Sequence, residues 1–320
     1  MTPMEEHQLR HVFFPYADDR SKEVIAQGHR FVYYTNAETA YRIIRNREIW
    51  MRSTSTMNDY SEVEHGFACL NAAYKSESGT MLRGAIDACY PGLSEEVVAH
   101  FNAWLPGIRS DTYITCLSEH LSEEDRNGRL SMWRAYGGKA GVAVVINTAA
   151  LFLQADGIGV FASPVAYWTQ EQVEAELRRV AERIRENSQY VSSLGRETTR
   201  GIVFNMFRFA LLCTKHPGFA EEREWRIIAS PPMHSSPILT QSVEVIRKIP
   251  QTVQKLQFAN NPEAGIVGLA LPDLLNRLII GPCDYPVVVL QALRQVLQEA
   301  EVPQADGLIY VSDIPLRIPQ

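Results

Sequence analysis

The spacing of apolar and polar residues along the chain predicts most of its secondary structure. Residues 30–35 are rich in aromatic and β-branched side chains and predict a strand. Asn36 suits the N-cap of a helix over residues 37–47, and residues 48–53 predict a second strand. A polar lead-in at residues 1–28 therefore precedes a first unit of strand, helix and strand.

The rest of the chain mixes strands and helices without strict alternation. Residues near 60–110 and 169–215 predict helical insertions, and the second opens with a capping box between Thr169 and Gln172. Further strands are predicted at 112–117, 141–146, 224–229, 277–281 and 308–311, and further helices at 201–215 and 286–299. This order favours an α+β fold over a doubly wound sheet, with residues 29–320 as a single domain.

Composition and charge exclude several classes of protein. The chain is 46% hydrophobic, carries a net charge of −6 and has five scattered cysteines. It lacks the basic excess used in generic duplex-DNA binding, although a nucleic-acid end or loop stays open as a substrate. The unpaired cysteine spacing predicts reduced thiols in the cytoplasm. The most apolar stretch is shorter than the roughly 18 residues of a membrane span, so no membrane crossing is expected.

The segment Glu221-Glu222-Arg223-Glu224-Trp225-Arg226 is the most distinctive candidate for chemistry. Side chains alternate between the faces of a strand, so Glu222, Glu224 and Arg226 are expected on one side. Two carboxylates and a guanidinium there suit the stabilisation of a developing cation and the binding of an anion. The same residues also fit a solvated turn with a Glu–Arg ion pair beside a core tryptophan.

Short boxes along residues 30–285 resemble a widespread bacterial family of unknown function. The boxes are Tyr33-Tyr34-Thr35, Trp50-Met51-Arg52-Ser53, Asn58-Asp59-Tyr60-Ser61-Glu62, Cys116-Leu117-Ser118, Trp133-Arg134-Ala135-Tyr136-Gly137, Lys215 and Glu222-x-Glu224-Trp225-Arg226. That family in turn resembles the ADP-ribosyltransferase fold, which implies a split β-sheet core. Tyr33 stands where well-known transferases of that fold carry His or Arg, whereas Thr35 and the Glu-x-Glu pair match.

The resemblance implies NAD as a substrate. Glu224 would hold the ribose 2′-hydroxyl and stabilise the oxocarbenium-like ribose, and Glu222 would orient the acceptor or take its proton. The implied NAD-binding residues are Tyr33, Tyr34, Thr35, Arg52, Ser53, Trp133, Tyr136, Lys215 and Arg226, in which aromatic rings stack on nicotinamide and cations pair with the pyrophosphate. Core positions for Trp133 and Tyr136, and a turn or cap at Asn58 and Asp59, are the alternatives.

Three hypotheses of function follow. The first, implied by the resemblance, is a mono-ADP-ribosyltransferase-like toxin or phage-defence effector with a protein or nucleic-acid acceptor and an antitoxin as a candidate partner. The departure at Tyr33 motivates the second, a catalytically silent module that binds a nucleotide or a partner. The third is a metal-dependent hydrolase or nuclease that uses Asp59, Glu62, Glu222 and Glu224; neither of the first two predicts a resident metal.

Overall fold

The computed structural model of the chain describes residues 3–56, 60–148 and 159–315. The helices are α1 (Pro3–Phe13), α2 (Pro15–Ala26), α3 (Ala37–Asn46), α4 (Tyr60–Lys75), α5 (Glu77–Cys89), α6 (Leu93–Ser110), α7 (Leu130–Met132), α8 (Gln170–Glu186), α9 (Ser188–Ser193), α10 (Arg196–Cys213), α11 (Leu271–Leu274) and α12 (Pro286–Glu299). The strands are β1 (Arg30–Asn36), β2 (Glu48–Ser53), β3 (Tyr113–His120), β4 (Ala140–Ile146), β5 (Val160–Pro164), β6 (Ala166–Tyr167), β7 (Thr214–Lys215), β8 (Glu224–Ala229), β9 (Leu239–Ile246), β10 (Ile249–Gln257), β11 (Leu275–Cys283) and β12 (Ile309–Val311). The predicted α+β class is confirmed.

These elements belong to two units that differ in content. The helical unit comprises the segments up to residue 23, 54–112 and 163–220, and the sheet unit comprises 24–53, 113–162 and the segment from 221 onwards. Both predicted helical insertions lie in the helical unit. The expectation of one domain after a lead-in stays a prediction. No described helix is long and apolar enough to cross a bilayer.

Local signals place several helices where the sequence predicts them. The Asn36 side chain accepts a hydrogen bond from the Thr39 backbone N–H at 2.8 Å and caps α3. The Thr169 backbone N–H donates to Gln172 Oε1 at 2.9 Å in the predicted capping box of α8. The polar lead-in, by contrast, contains α1 and α2. Their apolar residues are few and separated by charges, so their periodicity is weak in the sequence.

The larger sheet divides next to its central strand, β3. Its strand order is β12-β11-β4-β1-β3-β2-β10-β9, and β8 pairs with β3 and β5. Ser118 lies opposite both Val32 of β1 and Glu224 of β8, whereas Ile114 lies opposite both Arg52 of β2 and Ile228 of β8. Because β8 occupies one edge of β3, β1 and β2 share the other edge.

β1 therefore leaves β3 after a short pairing and continues along β4 to Asn36. The structure thus has a gap between β1 and β2 in the part of the chain that it describes. The backbone groups of Tyr33–Asn36 pair with β4 on one side only. A gap of this kind leaves room for a ligand between the two strands.

The two faces of this sheet carry separate apolar clusters. Phe31 and Trp225 belong to the larger cluster, their rings 5.1 Å apart. Tyr34 and Trp133 belong to the smaller one on the opposite face, with ring centroids 4.9 Å apart in an edge-to-face arrangement. Trp133 begins a π-helical turn, Trp133–Gly137, that directly follows α7.

Glycines from three segments make room for the Trp133 ring. A Cβ atom would come within 2.7 Å of the ring at Gly128, 2.9 Å at Gly141 and 2.7 Å at Gly281. Contacts that short do not occur in real structures, so a larger residue at any of the three would displace the indole. The ring is 3% exposed and its N–H donates to the Asn127 carbonyl at 2.8 Å.

Candidate functional site

A polar cavity of about 490 Å³ lies in the sheet unit at the gap between β1 and β2. Its volume is within the range of about 300–1,000 Å³ that is common for small-molecule sites. β1, one side of α3 along its length, β2 and the turn between β9 and β10 line it. Three of the predicted NAD-binding residues, Tyr33, Thr35 and Arg52, are among the lining residues.

The cavity wall carries more positive than negative charge. Its charged residues are Arg42, Arg52, Arg247, Glu38 and Glu48. Arg42 pairs with Glu38 at 2.7 Å, and Glu48 is 3.2 Å from the Lys255 ammonium. Each acidic group of the wall therefore has a cation beside it.

Arg52 lies close to a second guanidinium group. Its Nε donates to the neutral side chain of Gln251 at 3.2 Å. Burial lowers the pKa of Arg52, and the positive charge of Arg247 lowers it further. Like charges repel more strongly where water is partly excluded, which is why the charge of Arg247 adds to the effect of burial.

Tyr33 remains a neutral phenol in this environment. Burial raises its pKa to about 12, the neighbouring Cys116 thiol adds to the increase, and Arg52 opposes it. At neutral pH the hydroxyl can therefore donate a hydrogen bond to a ligand oxygen. It cannot supply the positive charge that a His or Arg could provide at this position.

Glu224 and Arg226 form a buried ion pair on β8. The Arg226 Nε donates to Glu224 Oε1 at 2.7 Å. Arg226 is 2% exposed and Glu224 is 6% exposed. This charge-assisted bond fixes the orientation of the carboxylate. Trp225 points to the other face, where its indole N–H donates to Glu119 Oε1 at 2.8 Å. The predicted alternation holds from Glu224 onwards.

Glu222 does not share that strand. It ends a 3₁₀ turn, and Arg223 has a φ of 47°, in the left-handed region, immediately before β8. The expectation that Glu222, Glu224 and Arg226 alternate along one strand is therefore wrong at Glu222, because alternation requires an extended backbone. Glu222 instead accepts a hydrogen bond from the hydroxyl of Tyr136 at 3.3 Å.

Arg129 fixes the segment that leads into β8, and the sequence analysis did not single it out. Its guanidinium donates to the carbonyl oxygens of Glu221 at 2.7 Å and Glu119 at 2.8 Å. The same group donates to Glu124 Oε1 at 2.8 Å, and Arg129 is 9% exposed. Although burial raises the pKa of Glu124, the hydrogen bonds and charge of Arg129 bring it below its usual range.

A buried histidine lies at the same end of β3. His120 is 0% exposed, and its Nε2 is 3.0 Å from Asp125 Oδ1, while Glu124 is 3.8 Å from its Nδ1. Arg30 and Arg277 also bind Asp125. Burial lowers the pKa of His120 despite the two carboxylates.

The other predicted residues occupy different environments. Tyr34 accepts a hydrogen bond from the Arg129 backbone N–H at 2.8 Å, and burial raises its pKa. The enclosure of Trp133 favours the core interpretation over stacking on a ligand, whereas Tyr136 is 45% exposed. Ser53 is buried opposite Tyr113, and Lys215 is a buried residue of the helical unit whose ammonium lies 4.6 Å from the Phe219 ring centroid.

The residues of the metal hypothesis are only partly described. Asn58 and Asp59 lie outside the described residues, as does the side chain of Glu62. Within the ranges that the structure describes, no three His, Cys, Asp or Glu side chains are grouped so that they could hold a metal ion. Glu224 is bound to Arg226 instead.

Comparison with known proteins gives a partial match. Residues 132–227 match a family model described as "Protein of unknown function (DUF2971)". No curated protein and no solved structure matches the chain. The matched stretch contains Trp133, Tyr136 and the segment Glu222–Arg226, and it begins after β1 and β2, the strands that line the cavity.

Proposed function

We propose that the sheet unit binds NAD at the gap between β1 and β2 and transfers its ADP-ribose to an acceptor, as a mono-ADP-ribosyltransferase. The observation that carries the proposal is the polar cavity lined by Tyr33, Thr35 and Arg52. An open, cationic cavity of this size suits a dinucleotide with its negatively charged diphosphate. The proposed setting is the cytoplasm, in a toxin or phage-defence effector that a partner such as an antitoxin restrains.

The sheet register relates one cavity residue, Arg52, to the face of the Glu224 carboxylate, whereas Tyr33 packs with Phe31 on the opposite face. Arg52, Ile114 and Ile228 form one row across β2, β3 and β8, so Arg52 projects from the same face as Arg226 and Glu224. With about 4.8 Å between strands and about 3.4 Å per residue, the Cα atoms of Arg52 and Glu224 are about 17 Å apart. An elongated dinucleotide suits that separation better than a single nucleoside.

In the proposed reaction the glycosidic C–N bond of NAD breaks and nicotinamide leaves with the electron pair. The positive charge that develops on the ribose is stabilised by the Glu224 carboxylate, which accepts a hydrogen bond from the 2′-hydroxyl. Arg226 holds that carboxylate in one orientation. The nucleophilic atom of a protein or nucleic-acid acceptor then bonds to the ribose carbon and transfers its proton to Glu222.

Release of nicotinamide from NAD tests the role of Glu224. Glu224→Gln keeps the shape and removes the charge, so we expect nicotinamide release to fall by about 10²–10³-fold. The control is Glu263→Gln, the same change at an exposed residue of a short turn, which should behave as wild type. Equal rates in wild type and Glu224→Gln would remove Glu224 from the reaction.

A second function, binding without turnover, is favoured by the burial of Glu224. The carboxylate is 6% exposed and does not line the cavity, and Tyr33 replaces the cationic residue expected there. A silent module of this kind would bind NAD and gain thermal stability without releasing nicotinamide. The same purified protein therefore separates the two functions when its melting temperature and its nicotinamide release are measured side by side.

A further inference from the structure

The helical unit contains a pocket of about 90 Å³, here called the aromatic pocket, among α1, α2, α8 and α10. All of its lining residues belong to the helical unit. One buried water needs about 10–15 Å³, and a cavity of about 150 Å³ can hold benzene. The aromatic pocket therefore has room for an organic group that is somewhat smaller than benzene.

Tilted aromatic rings form much of the pocket wall. The ring centroids of Tyr16 and Trp168 are 4.6 Å apart with the ring planes at 60°, and those of Phe14 and Phe209 are 6.0 Å apart at 73°. Rings at such angles form the corners of a concave surface rather than a flat stack. The Arg208 guanidinium lies 5.5 Å from the Phe209 centroid, so the other three rings are the candidates for binding a ligand.

A carboxylate lies in this apolar wall. Among the described residues that line the pocket, Glu176 is the one with a charged side chain. Its Oε1 accepts a hydrogen bond from the Tyr16 backbone N–H at 2.9 Å, and its Oε2 is 3.6 Å from Arg179, which also binds Asp19. Burial raises the pKa of Glu176, although the hydrogen bonds it accepts and the charges of Arg179 and Arg183 lower it. A cation bound in the pocket would therefore stabilise the ionised carboxylate.

We propose that the aromatic pocket binds a small organic cation, with a quaternary ammonium group against the rings of Tyr16 and Trp168 and beside the Glu176 carboxylate. Aromatic faces attract such cations, and the attraction is strongest where water is excluded. A quaternary ammonium group has an apolar surface and donates no hydrogen bond, which suits a mostly apolar wall. Calcium and magnesium require several oxygen ligands, which this wall does not offer. The inference does not depend on the proposed function, because the NAD site is placed on residues of the sheet unit.

Two probes of the same shape separate charge from apolar contact. Choline and its neutral isostere, in which a tert-butyl group replaces the trimethylammonium group, are titrated into the full chain by calorimetry. We expect choline to bind at least about tenfold more tightly than the isostere. Glu176→Gln keeps an acceptor for the Tyr16 N–H and removes the charge, so it should bind choline about tenfold more weakly and the isostere as wild type does.

Matched variants control for net charge and for position. Glu182→Gln makes the same change at an exposed residue of α8 outside the pocket wall, and it should bind both probes as wild type does. Ala210→Leu places a larger side chain in the pocket wall and should weaken the binding of both probes. Ala103→Leu, at an exposed position of α6, should leave both unchanged. The melting temperature of each variant confirms that it is folded.

The inference is overturned if wild type does not bind choline, if choline and the isostere bind equally well, or if Glu176→Gln binds choline as tightly as wild type. Choline binding that is unchanged in Ala210→Leu would place the cation outside this pocket and overturn it as well. Once choline binding is established, sedimentation with phosphatidylcholine vesicles identifies the source of the head group. Vesicle binding that Glu176→Gln abolishes would assign a lipid, and its absence would assign a free solute.

Discussion

The charged residues on β8 and those at the cavity differ in how their charges are arranged. On β8, Glu224 and Arg226 are almost fully buried and neutralise each other at 2.7 Å. At the cavity, Arg52 and Arg247 are brought close together with the same sign of charge. A buried ion pair keeps its geometry without a ligand. The repulsion between neighbouring like charges, by contrast, falls when an anion binds beside them. Under the proposed function, the cavity binds the ligand and β8 orients the Glu224 carboxylate.

Removing one partner of the buried pair should have the largest effect. Arg226→Gln leaves the Glu224 carboxylate buried without its cation, and we expect the free energy of unfolding in urea to fall by about 3–5 kcal/mol. The double variant Glu224→Gln with Arg226→Gln should recover most of that loss, because no charge remains buried.

Arg42→Gln provides the matched control for this stability measurement. It breaks the Arg42–Glu38 pair, in which both side chains are more than half exposed. Exposed pairs of this kind contribute about 0–1 kcal/mol, so little stability should be lost. Equal losses for Arg226→Gln and Arg42→Gln would contradict the contrast between the two regions.

The free energy of unfolding should depend on pH in the alkaline range through Tyr33, which lines the cavity. The unfolded chain releases the phenolic proton near pH 10, whereas the folded protein keeps it to about pH 12. Stability associated with the neutral phenol is therefore present below about pH 10 and lost as the pH rises through this window. The free energies of unfolding of wild type and Tyr33→Phe, determined at about pH 9 and about pH 11, measure this loss of stability.

We expect the wild-type free energy of unfolding to decline more than that of Tyr33→Phe across this interval. Tyr34, whose pKa burial also raises, is present in both proteins and cancels in the comparison. Parallel pH curves would show that the phenol of Tyr33 ionises as readily in the folded protein as in the unfolded chain.

A smaller effect is expected at acidic pH from His120, beneath the segment that leads into β8. Burial lowers its pKa, so the unfolded chain takes up a proton near pH 6.5 before the folded protein does. The related stability is present above about pH 6.5 and lost as the pH falls below it. Between about pH 7 and about pH 5, His120→Asn should lose less stability than wild type.

Asp125, Glu124 and Arg30 are the charged groups that affect the pKa of His120, and they are unchanged in His120→Asn. A difference between the two pH curves is therefore attributable to the imidazole. Identical curves would place its pKa in the folded protein at the ordinary value.

The elements that the sequence predicts correctly have a strong local signal. Asn36 caps α3, and Thr169 with Gln172 caps α8, because each bond joins residues three apart in the chain. The hairpin of β9 and β10 was missed, and its turn explains why. Arg247-Lys248 lacks the Gly or Asn that normally marks two positive φ values.

The candidate site was predictable only in part. Alternation along β8 correctly predicts that Glu224 and Arg226 share a face, and it fails at Glu222 because Arg223 is left-handed. The aromatic character of Trp133 suggested a stacking role, but Gly128, Gly141 and Gly281 enclose the ring. Gly281 is far from Trp133 in the chain, so local sequence does not indicate that its strand passes the indole.

By itself the sequence determined the α+β class, the main helices and strands, and the side-chain faces along β8, since these depend on propensity, capping and periodicity over a few residues. Tertiary structure alone decided that Arg52 and Arg247 would line one cavity, and that Arg129 would bind the carbonyl of Glu221. Those contacts depend on which strands pair and in what register. Pairing is set by long-range packing, for which local periodicity carries no information.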